Sequence, residues 1–121
     1  ENLSKNIQEY IDTRDNVYKL SWYLEQSHDT GYQIQQTEPG GFYIWHDDSR
    51  CESKRFLTFI WYLNDIQVDG YTEFIDGTRI QPEAGKIVLF PATWTYVHRG
   101  YPPKEETKYI CTGWLSTDIG D

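Results

Sequence analysis

From Gly31 onward, turn signals divide the chain into short runs rich in β-branched and aromatic residues: Pro39-Gly40-Gly41, Asn64-Asp65, Asp69-Gly70, Asp76-Gly77, Pro82, Gly85 and Pro91. β-Branched and aromatic side chains fit a pleated, half-buried surface, while Gly, Pro, Asn and Asp supply the backbone angles of tight turns. The pattern predicts strands near 31–37, 42–48, 55–63, 71–75, 78–80, 86–90, 95–99 and 107–116. A mainly β chain with strands in this rhythm suits a double-stranded β-helix, or jelly roll, in which two antiparallel sheets enclose one core.

Before Gly31 the period changes. Leu3, Ile7, Tyr10 and Ile11 recur at helical spacing, and so do Val17, Leu20 and Leu24, which predicts two N-terminal supporting α-helices with Thr13 or Asp15 capping the second. The run Phe56 to Leu63 is apolar at both parities: Phe56, Ile60 and Tyr62 on one face, Leu57, Phe59, Trp61 and Leu63 on the other. Such a strand belongs in the middle of a sheet covered on both sides, and the helices are the natural cover for its outer face. A chain of 121 residues holds one such core, so a single domain over 1–121 is expected, with helical support at about 1–28 and the jelly-roll core at about 31–116. Glu1 rather than Met opens the chain, as expected of a trimmed form.

Charge and hydropathy narrow the function classes. Eleven basic residues against nineteen acidic ones leave a net charge of -8, and the densest basic stretch, Arg50 to Arg55, is interrupted by Glu52, so a nucleic-acid partner is not expected. No apolar run approaches the roughly 20 residues of a membrane helix, and no signal-peptide pattern opens the chain. Cys51 and Cys111 have neither metal-ligand spacing nor a disulfide framework. An intracellular, soluble, cytoplasmic protein without membrane association is the expectation; the oligomeric state is open.

The first chemically informative stretch is Phe42-Tyr43-Ile44-Trp45-His46-Asp47-Asp48. Side chains two apart on a strand emerge on one face, so His46 and Asp48 point together, while parity turns Asp47 away. An imidazole and a carboxylate make two-thirds of the facial triad that holds non-haem iron(II), and one further His completes it. Of the other two histidines, His28 sits in the polar connection Ser27-His28-Asp29-Thr30, which leaves His98 as the third ligand. A lone His-x-Asp pair arises by chance in many proteins, so the pair needs further support. The second stretch is Thr107 to Trp114, where alternation places Lys108, Ile110, Thr112 and Trp114 on one face. Lys108 has two readings: an edge-strand lysine that discourages aggregation, or an inward ammonium that requires an anion.

Taken together, His46, Asp48, His98 and Lys108 on a β-rich chain resemble the iron(II)/2-oxoglutarate-dependent dioxygenases, and within them the prolyl 4-hydroxylase-like branch. The resemblance spans about residues 31 to 116. It also rests on Gly40 and Tyr43 before the first ligand, Gly70-Tyr71-Thr72-Glu73-Phe74, Ile80-x-Pro82-x-x-Gly85 leading into Val88-Leu89-Phe90-Pro91, and Trp114 after the lysine. Two departures stand out: Asp69 occupies a position where the family often has glycine, and strict alternation puts Tyr43 and His46 on opposite faces, so the strand between them must bulge, twist or begin there.

The resemblance implies Fe(II) as metal, 2-oxoglutarate and O2 as co-substrates, and ascorbate as a candidate reductant. It gives Lys108 the distal carboxylate of 2-oxoglutarate, with Tyr43 and Thr72 beside it; Trp114, at the family's tryptophan position, and Trp61 and Arg99 are candidates for lining the substrate pocket. Trp45, Trp94 and Tyr96 are candidates to shape a substrate groove, and the polar stretch Asp47 to Lys54 is a candidate lid. The implied reaction is oxidative decarboxylation of 2-oxoglutarate coupled to hydroxylation of a peptidyl prolyl residue in a peptide or protein substrate. The alternatives are a hydroxylase of a free amino acid or small metabolite, and a non-catalytic jelly-roll binding domain.

Overall fold

In the computed structural model, residues 2–12, 27–29, 31–48 and 54–117 are described. The elements run α1 (Asn2–Asp12), β1 (Ser27–Asp29), β2 (Gln33–Thr37), β3 (Tyr43–His46), β4 (Arg55–Tyr62), β5 (Thr72–Phe74), β6 (Arg79–Ile80), β7 (Ile87–Pro91), β8 (His98–Gly100) and β9 (Lys108–Thr117), with one 3-10 turn at Trp94–Tyr96. Two antiparallel sheets result. In the first, β9 is flanked on one edge by β1 and β2 end to end and on the other by β4, which pairs in turn with β7; the second has the order β3-β8-β5-β6. This is the expected two-sheet jelly-roll arrangement.

Strand β4 explains how one short chain builds two apolar layers. Its Ile60 and Tyr62 face inward and meet Phe74, Phe90 and Ile110 between the sheets. Leu57 faces outward and packs with Leu115 against Ile7, Leu3 and Tyr10 of α1. The first helix therefore covers the outer face of the first sheet, as its apolar stripe predicts; the second predicted helix falls in 13–26, outside the described residues. Burying each of the large inward side chains stabilises the fold by about 1.5–3 kcal/mol.

Three expectations change in detail. Phe56 does not share the inward face of Ile60 and Tyr62: a register shift between Arg55 and Leu57 inserts an extra residue, and Phe56 packs with the helix-facing group instead. The strand expected at 95–99 begins at His98, because Tyr96 N–H donates to the Thr93 carbonyl at 3.0 Å and closes a 3-10 turn, with the Thr93 and Thr95 hydroxyls 2.7 Å apart. Ser27–Asp29, read as a connection, is a short strand on β9 that leaves His28 exposed.

The turn after β4 carries the backbone constraint that matters for the site. Asp69 has φ 58 and Gly70 φ 67, both left-handed. Asp is among the few non-glycine residues that tolerate this region, which accounts for an aspartate where glycine would be easiest. Gly70 has no such freedom, since a Cβ there would lie 2.8 Å from Ile66 Cγ2 and 3.2 Å from Pro103 Cβ.

Candidate metal centre and its cavity

His46 ends β3 and His98 opens β8, and the two residues are direct partners in that antiparallel pair. Their rings lie 4.3 Å apart between centroids. Asp48 follows on the turn after β3, with Oδ1 3.2 Å from His46 Nε2 and 3.6 Å from His98 Nε2. One ligand atom from each of the three residues lies within 4.8 Å of the others, a spacing that a single metal ion spans.

The surroundings orient each ligand. His46 Nδ1 donates to the Ile44 carbonyl (2.8 Å) and His98 Nδ1 to the Tyr96 carbonyl (3.0 Å), an assignment that turns both Nε2 atoms toward Asp48. Asp48 Oδ2 accepts a 2.7 Å hydrogen bond from Thr58, and Arg55 Nη1 donates to the Asp48 carbonyl at 3.3 Å. Phe90 and Phe74 wall His98 from solvent, with ring centroids at 4.8 and 5.7 Å.

Charge follows from the same geometry. The hydrogen bond to Asp48 raises the His46 pKa, against the opposing effect of burial. Burial pushes the Asp48 carboxyl up, but hydrogen bonds from His46 and Thr58 and the charge of His98 outweigh it and hold the group below its ordinary value. Burial also holds His98 below its ordinary value, which favours the neutral imidazole a metal requires.

A cavity of about 120 Å³ extends from this centre to Lys108. Lys108 is 4% exposed, and burial pushes its pKa down to about 8. Its ammonium donates to the Gly70 carbonyl at 3.0 Å, and no carboxylate pairs with it among the described residues. The inward reading of the lysine therefore holds: β9 is flanked by strands on both edges, so Lys108 is not an edge guard.

Tyr43, Thr72, Trp114 and Arg99 line the same cavity. The Tyr43 and His46 side chains reach it together because the β3–β8 register shifts between them, which resolves the parity conflict. Thr72 is buried, with its hydroxyl 2.7 Å from that of Tyr62. Trp114 lies under the Arg55 guanidinium at 3.7 Å. Arg99 borders the cavity, but its guanidinium is held by Glu73 at 2.6 and 2.7 Å. Trp61 is a correction: it is on the outward face of β4 with Leu57 and Phe59, so alternation removes it from the cavity lining. Trp45, Trp94 and Tyr96 are exposed and outside that lining, and most of the candidate lid, 49–53, falls outside the described residues.

Sequence reasoning misses Thr58 and Tyr62. Both sit on the inward face of β4, and a threonine within an apolar strand is the signal that could have found the first. Burial pushes the Tyr62 pKa up to about 12, so its phenol stays protonated and able to donate.

A sequence profile of the 2OG-Fe(II) oxygenase superfamily matches residues 32–116. No curated protein matches the chain in sequence. Among solved structures, the 2OG complex of the viral collagen prolyl hydroxylase vCPH from Paramecium Bursaria Chlorella virus-1 aligns at TM-score 0.75 and 21% identity over 95% of this chain and 70% of that one. A Pseudomonas putida prolyl-4-hydroxylase aligns at TM-score 0.66 and 22% identity over 92% of this chain and 65% of that one. A Trichoplax adhaerens prolyl hydroxylase in complex with a hypoxia inducible factor oxygen degradation domain peptide fragment aligns at 0.68 and 22%, over 96% and 55%. These likenesses establish the fold, and the chain spans between about half and 70% of the lengths of these three proteins.

Proposed function

Because the chain belongs to the 2OG-Fe(II) oxygenase superfamily, we propose that it couples oxidative decarboxylation of 2-oxoglutarate to hydroxylation of a peptidyl prolyl residue. The observation that carries the reading is one cavity with a His46/Asp48/His98 donor set at one end and a buried lysine without a carboxylate partner among the described residues at the other. A dicarboxylate that chelates the metal and ends in a second carboxylate answers both ends at once.

The residues fit the implied metal. Two neutral imidazole nitrogens and one carboxylate oxygen, converging from one face, are the donor set of non-haem iron(II) sites with open positions. His46, Asp48 and His98 would hold Fe(II), which supplies the oxidising chemistry when 2-oxoglutarate and O2 are present. Lys108 binds the far carboxylate of 2-oxoglutarate, and burial makes that ion pair strong because water does not screen it. Thr72 and Tyr43 orient the co-substrate from the sides. Trp114 and Arg99 border the volume left for substrate, and Phe74 and Phe90 keep water from behind His98. Ascorbate as reductant is part of the family expectation and has no separate support from the site.

A prolyl peptide is the favoured substrate because the chain shares its fold with prolyl hydroxylases, one of them in complex with a peptide. Residues 1–121 are read as one dioxygenase domain, supported by the packing of α1 on the sheet that carries Lys108. No helix among the described residues is long and apolar enough to cross a membrane, and a cytoplasmic setting belongs to this proposal.

The test is anaerobic addition of Fe(II) and 2-oxoglutarate to metal-free protein, read by the visible charge-transfer band of the chelate. The band should be absent in His46→Ala. Lys108→Ala should keep Fe(II) binding but weaken 2-oxoglutarate by about 2–5 kcal/mol, the cost of removing one partner from a buried pair. Tight Fe(II) binding with no band would reject 2-oxoglutarate, and no Fe(II) binding would leave a non-catalytic binding domain. Succinate formation stimulated by free amino acids and not by prolyl peptides would replace the substrate class.

A further inference from the structure

We propose that Thr58 is a positioning residue that keeps Asp48 a one-oxygen ligand and so preserves a metal position for the reactants. The proposal rests on the reading above that His46, Asp48 and His98 hold the metal. The two carboxylate oxygens of Asp48 have different surroundings. Oδ1 faces both imidazoles, at 3.2 and 3.6 Å, whereas Oδ2 accepts the Thr58 hydroxyl at 2.7 Å.

The two residues also differ in how firmly the backbone holds them. Thr58 is 1% exposed in the middle of β4, paired with Phe90 on one side and Trp114 on the other. Asp48 lies beyond the last residue of β3, outside any strand ladder, with Arg55 of β4 bonded to its carbonyl. The central strand therefore anchors a ligand that lies outside the strand ladders. Turning both Asp48 oxygens to a metal rotates Oδ2 away from the direction in which it now meets Thr58 and weakens that bond, and the hydroxyl has no other hydrogen-bond partner among the described residues. Leaving a buried donor unsatisfied is costly, more so when its lost partner is charged.

The consequence is a matter of coordination number. Three single-atom ligands leave three positions of an octahedron, enough for a chelating 2-oxoglutarate and O2. A two-oxygen Asp48 removes one of them, so the carboxylate and the co-substrate compete.

Co(II) serves as a visible-absorbing probe of coordination in the full chain, with Thr58→Val as the near-isosteric variant lacking the hydroxyl and Thr58→Ser as the rescue. Thr58→Val should bind Co(II) at least as tightly as wild type, show an altered Co(II) absorption spectrum before 2-oxoglutarate is added, and bind 2-oxoglutarate at least about tenfold more weakly by calorimetry. Thr58→Ser should restore both spectrum and affinity, which a generally loosened core would not predict. If near-ultraviolet circular dichroism shows that the valine variant is not folded, Thr58→Ala carries the same comparison. A folded variant without the hydroxyl that keeps the wild-type spectrum and 2-oxoglutarate affinity overturns the role of Thr58. A wild-type chain that binds neither Co(II) nor Fe(II) overturns the site reading itself.

Discussion

Strands β4 and β9 have eight and ten residues and pair with each other along most of their length, whereas β3, β8, β5 and β6 have four, three, three and two. The long pair belongs to the sheet that carries Thr58 and Lys108; the short strands carry both histidines, Tyr43 and Thr72. Position is therefore secured differently at the two ends of the cavity. At the Lys108 end, continuous ladders hold the side chains. At the candidate metal end, single hydrogen bonds donated by His46 and His98 and accepted by Asp48, together with a register shift in β3, do so. The long-stranded sheet serves as the anchor, and the short-stranded sheet carries the proposed metal ligands His46 and His98.

The strongest way to separate the two is to remove a ligand without disturbing the anchor. His98→Ala should lower succinate formation by more than about a hundredfold, beyond the usual effect of losing a residue that only supports a ligand. Its unfolding midpoint in urea should stay close to wild type; full activity would refute the ligand assignment. Phe90→Ala attacks the join instead, because Phe90 on β7 touches Phe74 of β5 at 4.9 Å and His98 of β8 at 4.8 Å between centroids. It should cost about 3–5 kcal/mol of stability in urea unfolding and loosen the metal site with it. Stability lost with unchanged Fe(II) affinity would show that the short strands hold their ligands without the core beneath them.

A pH titration tests the anchored end. Lys108 is charged below about 8 and neutral above it in the co-substrate-free protein. Affinity for 2-oxoglutarate should be flat below that pH and fall up to about tenfold per unit above it, whereas Lys108→Arg should remove the dependence. The same depression has the opposite sign for folding. Burying the charged form is unfavourable, so this group's contribution to stability rises with pH between about 8 and the ordinary lysine value of 10.5. An affinity that stays constant through pH 9 would place the ammonium in contact with water. The smallest effect is expected at Trp61→Phe, on the outward face of β4, where 2-oxoglutarate affinity should stay within about twofold.

Much of this arrangement is legible in the sequence because it depends on residue periods. The alternation of Lys108, Ile110, Thr112 and Trp114 is a local property of one strand, and all four line the cavity. His46 and Asp48 share the site as a period of two anticipates, although β3 ends at His46 and a turn carries Asp48, and the helical stripe of Leu3, Ile7 and Tyr10 follows from the period of 3.6. Periodicity misleads where it is interrupted. Phe56 changes faces at a bulge, and the expected strand at 95–99 gives way at its start to a 3-10 turn closed by a main-chain hydrogen bond. Residue type suggests Trp61 for the cavity while parity excludes it, and parity is the better guide.

Residue types and spacing pointed to the β architecture, because an apolar face is costly in water, and singled out His46, Asp48 and His98 as candidate ligands; they left Lys108 with an inward and an edge reading, between which burial on β9 decided. Only the tertiary structure decided which oxygen of Asp48 stays available, how Tyr43 comes to share a cavity with His46, and that Gly70 offers Lys108 a carbonyl. These are contacts between segments 10 to 38 residues apart in sequence or shifts of register between strands. Their geometry depends on how two sheets settle against each other, and no local pattern in the chain encodes that distance.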